Sequence, residues 1–99
     1  MAPGRELRME SRTPCKIRAT ARCLGRETPA AVTDISHSGV HVYLRLDIGA
    51  HVGSHMTIDT AEFGQLSGEV SWLKFPYLGM RLGRSSNTYA KIDSYLKTR

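Results

Sequence analysis

The run Cys15-Lys16-Ile17-Arg18-Ala19-Thr20-Ala21-Arg22-Cys23 places an apolar side chain at every odd position and a polar one at every even position. A period of two marks a strand with one face against a core and the other in water. The same alternation returns in Val40-His41-Val42-Tyr43-Leu44-Arg45-Leu46 and in Leu66-Ser67-Gly68-Glu69-Val70-Ser71-Trp72, where Gly68 is expected to mark a bend or bulge. Shorter strands are expected over residues 30–35, 55–60 and 77–82. Turn-forming groups separate them: Leu24-Gly25-Arg26, Ser36-His37-Ser38-Gly39, Asp47-Ile48-Gly49, Phe63-Gly64-Gln65 and Phe75-Pro76.

Six short strands joined by short turns predict an all-β fold, a small antiparallel sheet closed or nearly closed into a barrel. A parallel sheet would demand crossover helices for which the chain has no room. Near the C-terminus the period changes: Tyr89, Ile92 and Leu96 fall at i, i+3 and i+7, predicting one helix over about residues 87–97 with its apolar stripe on the barrel. Residues 1–12 show no sustained period and carry Pro3 and Gly4, so they are expected to form a flexible arm, with the domain proper over residues 13–99. Cys15 and Cys23 share one strand, and at about 3.3 Å per residue their Cα atoms would lie roughly 26 Å apart, too far for a disulfide. Both are expected to act as small apolar core residues.

The 99 residues leave room for one domain. The longest apolar runs reach three or four residues, against the roughly 20 that a spanning helix needs, and the first residues lack the apolar stretch of a signal peptide. A free-standing cytoplasmic domain without membrane insertion is the expectation. Fourteen Lys and Arg against nine Asp and Glu give a formal charge of +5, and ten of the fourteen are arginine. Arg5, Arg8, Arg12, Lys16, Arg18, Arg22 and Arg26 crowd the first quarter. Guanidinium forks pair with phosphate and stack on rings, so the bias favours planar anionic partners: a nucleotide or a nucleic acid.

Two constellations carry chemistry. Arg8-Met9-Glu10-Ser11-Arg12 is an RxxxR that leads through Thr13-Pro14-Cys15 into the first strand. Asp34-Ile35-Ser36-His37-Ser38-Gly39 is a DxSxxG between two expected strands. In this order, and just before the first and third strands, they resemble the PilZ domain family. The resemblance covers nearly the whole chain, since Gly49, Gly68-Glu69-Val70-Ser71-Trp72 and Leu78-Gly79-Met80-Arg81-Leu82 also look like that family's later strands. It implies a six-stranded barrel, a trailing helix and cyclic di-GMP as the ligand, held by Arg8, Arg12, Asp34, Ser36 and Gly39.

These residues match that ligand's inventory. Each guanine offers N7 and O6 as paired acceptors, which an arginine fork fits, and N1–H and N2–H donors, which a carboxylate fits. Arg8 and Arg12 can serve phosphate, the guanine edge or a ring face. Asp34 suits the N1/N2 edge, Ser36 adds a short donor or acceptor, and Gly39 admits a positive φ or close ligand approach. The plainer readings are solvated arginines in an arm and a turn whose Asp and Ser bond local backbone. Leu7, where a further arginine would help hold a stacked pair of nucleotides, leans toward one nucleotide per chain.

Other chemistry finds less support. His37/His41 and His51/His55 are both HxxxH, but residues four apart on a strand lie about 13 Å apart, so no metal site is expected. Trp72 and the tyrosines are scattered over several elements and read as packing or rim residues, which weighs against a base-stacking platform and so against nucleic acid. Ser36 and His37 are adjacent without an orienting acid, so no catalytic residue and no resident cofactor are expected. Arg18 and Arg22 on the outward face of the first strand are read as solvated. The expected function is a cyclic di-GMP receptor that relays its signal to a separate effector protein. The alternatives are a basic OB-like barrel binding single-stranded nucleic acid, or a PilZ-like protein acting only through protein contacts.

Overall fold

The alternating runs do become strands, and the strands close on themselves. The computed structural model describes residues 13–83 and 86–97; the expected arm, with Arg8 and Arg12, lies outside the described residues. The elements are β1 (Thr13–Cys23), β2 (Arg26–Ile35), β3 (Gly39–Leu44), β4 (His55–Thr60), β5 (Gly64–Lys74), β6 (Tyr77–Leu82) and α1 (Ser86–Lys97). All pairings are antiparallel, and the strands close into a barrel in the order β1-β2-β3-β6-β5-β4. Closure leaves no edge strand and places one side chain in two inside the barrel. Ile17, Val32, Val42, Ile58, Leu66 and Leu78 are among the residues that fill it. Cys23 joins this core and Cys15 packs at its margin; both thiols are free of a disulfide.

Several boundaries differ from expectation for identifiable reasons. β2 starts at Arg26 rather than Ala30, because Cys23↔Arg26 and Arg22↔Glu27 pair across the tight Leu24-Gly25 turn. β3 ends at Leu44, where the Leu44 and Arg45 amides turn to the Pro76 and Pro29 carbonyls, so Leu46 stands exposed instead of inward. On α1, Ile92 is buried as expected, but Tyr89 is exposed and Tyr95 instead packs edge-on against Phe63, ring centroids 5.6 Å apart. Lys91 donates to the Gln65 carbonyl at 3.1 Å, so the helix is fastened to the barrel end that holds the β4–β5 turn.

Three irregularities break the strand registers. One lies between Pro14 and Ile17 in β1, one at Thr33 in β2 and one at Ser71 in β5. A bulge reverses the facing of everything beyond it. Val32 and Ile35 both point inward because Thr33 is the extra residue, and Asp34 is thereby turned to the outer face. Val70 points inward and Trp72 outward because Ser71 is extra. The bulge expected at Gly68 therefore sits at Ser71. Gly68 instead allows two backbones to approach closely, since a Cβ there would collide with the Arg81 carbonyl of β6. At Gly79 a Cβ would collide with the Trp72 indole, which lies across that glycine.

The two glycines should respond differently to a methyl group. Gly68→Ala must part the β5–β6 backbones and should cost about 2–3 kcal/mol in chemical denaturation. Gly79→Ala has only an exposed indole to displace, so it should cost about 1 kcal/mol or less while shifting the fluorescence of Trp72. Equal losses for both would contradict this division.

Candidate functional site

Antiparallel pairing sets one row of residues across the outer face of four strands. Asp34 of β2 is opposite His41 of β3, His41 is opposite Gly79 of β6, and Gly79 is opposite Trp72 of β5. His41 Nδ1 lies 2.7 Å from Asp34 Oδ2, both side chains being largely covered. A carboxylate only accepts, so Nδ1 carries the proton, and Asp34 is held in one orientation. The Trp72 ring meets the His41 ring edge-on, centroids 5.3 Å apart at 70°. Each bulged residue ties itself to this row: the Thr33 hydroxyl donates to the His41 carbonyl at 3.3 Å, and the Ser71 hydroxyl donates to the Gly79 carbonyl at 3.2 Å. The side-chain bonds supply partners at the two points where the backbone ladder is interrupted.

Of the expected site residues, Asp34 lies in this row, and Ser36 and Gly39 lie in the turn beside it. Asp34 lies on β2, within the strand expected over residues 30–35, and its side chain faces outward. Ser36 is fully buried; its amide and its hydroxyl both donate to the Gly39 carbonyl, at 2.9 and 3.3 Å, so its contribution passes through the shape of the turn. Gly39 opens β3 opposite Arg81, is buried, and is not one of the glycines with positive φ. Arg8 and Arg12 lie outside the described residues. The first described residue, Thr13, pairs with Ile35, and Pro14 pairs with Asp34. The segment that carries the arginines is therefore attached beside Asp34.

The motif turn is also fastened to the helix. His37 Nε2 donates to Asp93 Oδ1 at 3.1 Å, and its ring stacks on Tyr89, centroids 4.6 Å apart and 18° from parallel. Lys97 approaches the other Asp93 oxygen at 3.2 Å. His37 and His41 thus turn to different carboxylates, and no group of three or more metal-binding side chains forms among the described residues.

A profile of the PilZ domain matches residues 6–97. The chain belongs to the PilZ domain family. Among solved structures, the Bacillus subtilis inhibitor of motility (MotI/DgrA) superposes on this PilZ domain with a TM-score of 0.61 at 14% identity, covering 92% of this chain and 50% of that one. The chain spans about half the length of that protein, and a likeness at this identity shows the fold alone. No curated protein sequence matches significantly. PilZ domains are binding domains rather than enzymes, and no helix among the described residues is long and apolar enough to cross a membrane.

Two members of the row are not apparent from the sequence. His41 stands out there only as half of an HxxxH pair, and Trp72 only as a packing or rim residue. The signal for His41 is the four-residue turn closed by Ile35 and Val40, which puts Asp34 opposite His41. The facing of Trp72 depends on the Ser71 bulge, which alternation alone does not announce. The tyrosines are not all scattered in space either: pairing brings Tyr43 and Tyr77 together edge-on, centroids 5.5 Å apart at 66°. Arg22 is not merely solvated, since it pairs with Glu27 at 2.8 Å and with Asp59 at 3.6 Å, which raises its pKa.

The helix tether carries a pH signature. The Asp93 carboxyl is held below its ordinary value of 3.8, first by the hydrogen bond from His37 and then by Lys97. A carboxyl with a lower pKa in the folded chain binds fewer protons there, so its contact stabilises above the ordinary Asp range and is lost as pH falls through the folded value. Wild type should melt above Asp93→Asn at neutral pH, with the difference closing in acid below about 3.8. A difference that does not change with pH would show that the contact contributes nothing through its charge.

Proposed function

We propose that this PilZ domain binds cyclic di-GMP on the outer face around Asp34, His41 and Gly39, and relays the signal to a separate effector protein. The family to which the chain belongs is one of cyclic di-GMP receptors. The observation that carries the reading to particular residues is the pairing Pro14↔Asp34, which joins the RxxxR segment to the barrel beside the DxSxxG carboxylate. Asp34, steadied by His41, presents an acceptor to the guanine N1/N2 edge. Arg8 and Arg12 supply forks for phosphate and for the guanine N7/O6 edge, and a surface for stacking. Ser36 sets the turn, and Gly39 leaves room for the ligand. His37, inside the same turn, connects that turn to α1 through Asp93 and Tyr89, a path by which a filled site would alter the surface shown to an effector.

Calorimetric titration should show cyclic di-GMP binding and cyclic di-AMP binding at least about tenfold weaker, because adenine reverses donor and acceptor at the positions read by Arg and Asp. Arg8→Ala, Arg12→Ala and Asp34→Ala should each lose about 2–4 kcal/mol of binding; the two arginine changes should leave the melting temperature unaltered, while Asp34→Ala, which strips His41 of its partner, should lower it modestly. Arg12→Lys should recover little, since an ammonium is not a fork. Equal binding of the two dinucleotides, or losses at Arg22 as large as at Arg12, would overturn the assignment.

A further inference from the structure

Nine large apolar side chains stand exposed among the described residues, and six of them lie on the β5–β6 hairpin or at and just beyond the end of β3: Tyr43, Leu46, Trp72, Leu73, Phe75 and Tyr77. Strand pairing brings these elements together. Tyr77 is opposite Tyr43 on one side and Lys74 on the other, so the β5–β6 hairpin stands beside the end of β3. The Leu44 amide donates to the Pro76 carbonyl at 2.7 Å, which ties the end of β3 to the hairpin turn, while the Leu46 amide turns to the Thr28 hydroxyl of β2 at 3.0 Å at the same end of the barrel.

Cations are interleaved with these side chains. Lys74 sits between Leu73 and Phe75, and Arg45 adjoins Leu46. Arg18 and Arg45, with Tyr43, wall an open groove of about 410 Å³ floored by Ala30 and Ala31, and no carboxylate lines it. Arg18, Arg45 and Lys74 have no ion pair among the described residues, whereas Arg22, Arg81 and Lys97 each have a carboxylate partner. Asp47, the nearest acid along the chain, accepts from the Gly49 amide.

We infer that this end of the barrel docks on an anionic lipid surface, with Trp72 at the border between the dock and the nucleotide row. Exposed aromatic and aliphatic side chains would enter the headgroup layer, where Trp and Tyr are at home, while the interleaved cations remain level with lipid phosphates. Arg45 and Lys74 have no carboxylate partner among the described residues, and the phosphates of anionic lipids would supply the missing counter-charge. A second copy of this chain would bring like charges together. Single-stranded nucleic acid stacks its bases on open ring faces, and the Tyr43 and Tyr77 rings are turned edge-on to one another, at 66°. The dock leaves the other end free: Gly39 and Tyr43 are four residues apart on β3, about 13 Å at the usual rise, and α1 is fastened at the motif-turn end.

The test is cosedimentation with vesicles of phosphatidylcholine alone and with vesicles containing one third phosphatidylglycerol. Wild type should bind the anionic vesicles and not the neutral ones, with a blue shift of the single tryptophan, Trp72. Lys74→Gln and Arg45→Gln should each weaken binding about fivefold, and Phe75→Ser should weaken it at least as much, while Lys91→Gln on α1 should change it little. Each variant is checked by its melting temperature, so that lost folding is not read as lost docking. No vesicle binding, equal binding to both vesicles, or an equal effect of Lys91→Gln would overturn the inference. So would displacement from the vesicles by oligothymidylate, or self-association in ultracentrifugation that removes the Trp72 shift.

Discussion

Thr33 and Ser71 each add one residue to a strand, and the outer face of the barrel is arranged around that insertion. Strict alternation from Val32 would send Asp34 into the core, where an unpaired carboxylate is costly. It would send Trp72 inward as well, into a space already filled by Val70, Leu66 and their neighbours. The bulges reverse both, and the hydroxyls of Thr33 and Ser71 bond the carbonyls of His41 and Gly79, which face each other across β3 and β6. A carboxylate, an imidazole, a bare glycine and an indole thereby form one row on an otherwise ordinary sheet face. Bulges are a common means of re-aiming a side chain next to a functional site.

The same geometry divides the molecule lengthwise. At one end lie the motif turn, the attachment point of the RxxxR segment and the helix held by His37 and Lys91. At the other lie the β5–β6 hairpin and the cations interleaved with its apolar side chains. β3 and β6 run between them, with core residues such as Val42 and Leu78 fully buried. The turn is joined to α1 by the His37–Asp93 hydrogen bond and the His37–Tyr89 stack.

Much of the barrel was legible because period-two alternation is a local property: β4 and β6 begin and end where the pattern places them, and the core faces of β1 and β3 follow it. The departures come from interactions between strands. Leu46 reads as the next inward residue of β3, yet Pro76 and Thr28 capture the backbone around it and end the strand. Trp72 alternates with Val70 in sequence as if both faced inward, yet a bulge intervenes. Tyr89 has helical spacing with Ile92, yet the stacked ring of His37 keeps it outside the core. At the site, Asp34, Ser36 and Gly39 were recognisable as a motif, but a motif does not say that Ser36 faces inward or that His41 steadies Asp34. Those facts follow from register.

Amide and indole resonances recorded during titration with cyclic di-GMP test the central claim most directly, because they report where on the barrel the nucleotide sits. Binding around the bulged row should move Asp34, Gly39, His41, Gly79 and the Trp72 indole together, with His37 and Tyr89 following, while Leu24 and Val52 stay in place. Shifts confined to the β1–β2 hairpin, or to the groove beside Arg18 and Arg45, with the Asp34–His41–Gly79–Trp72 row unmoved, would contradict the account.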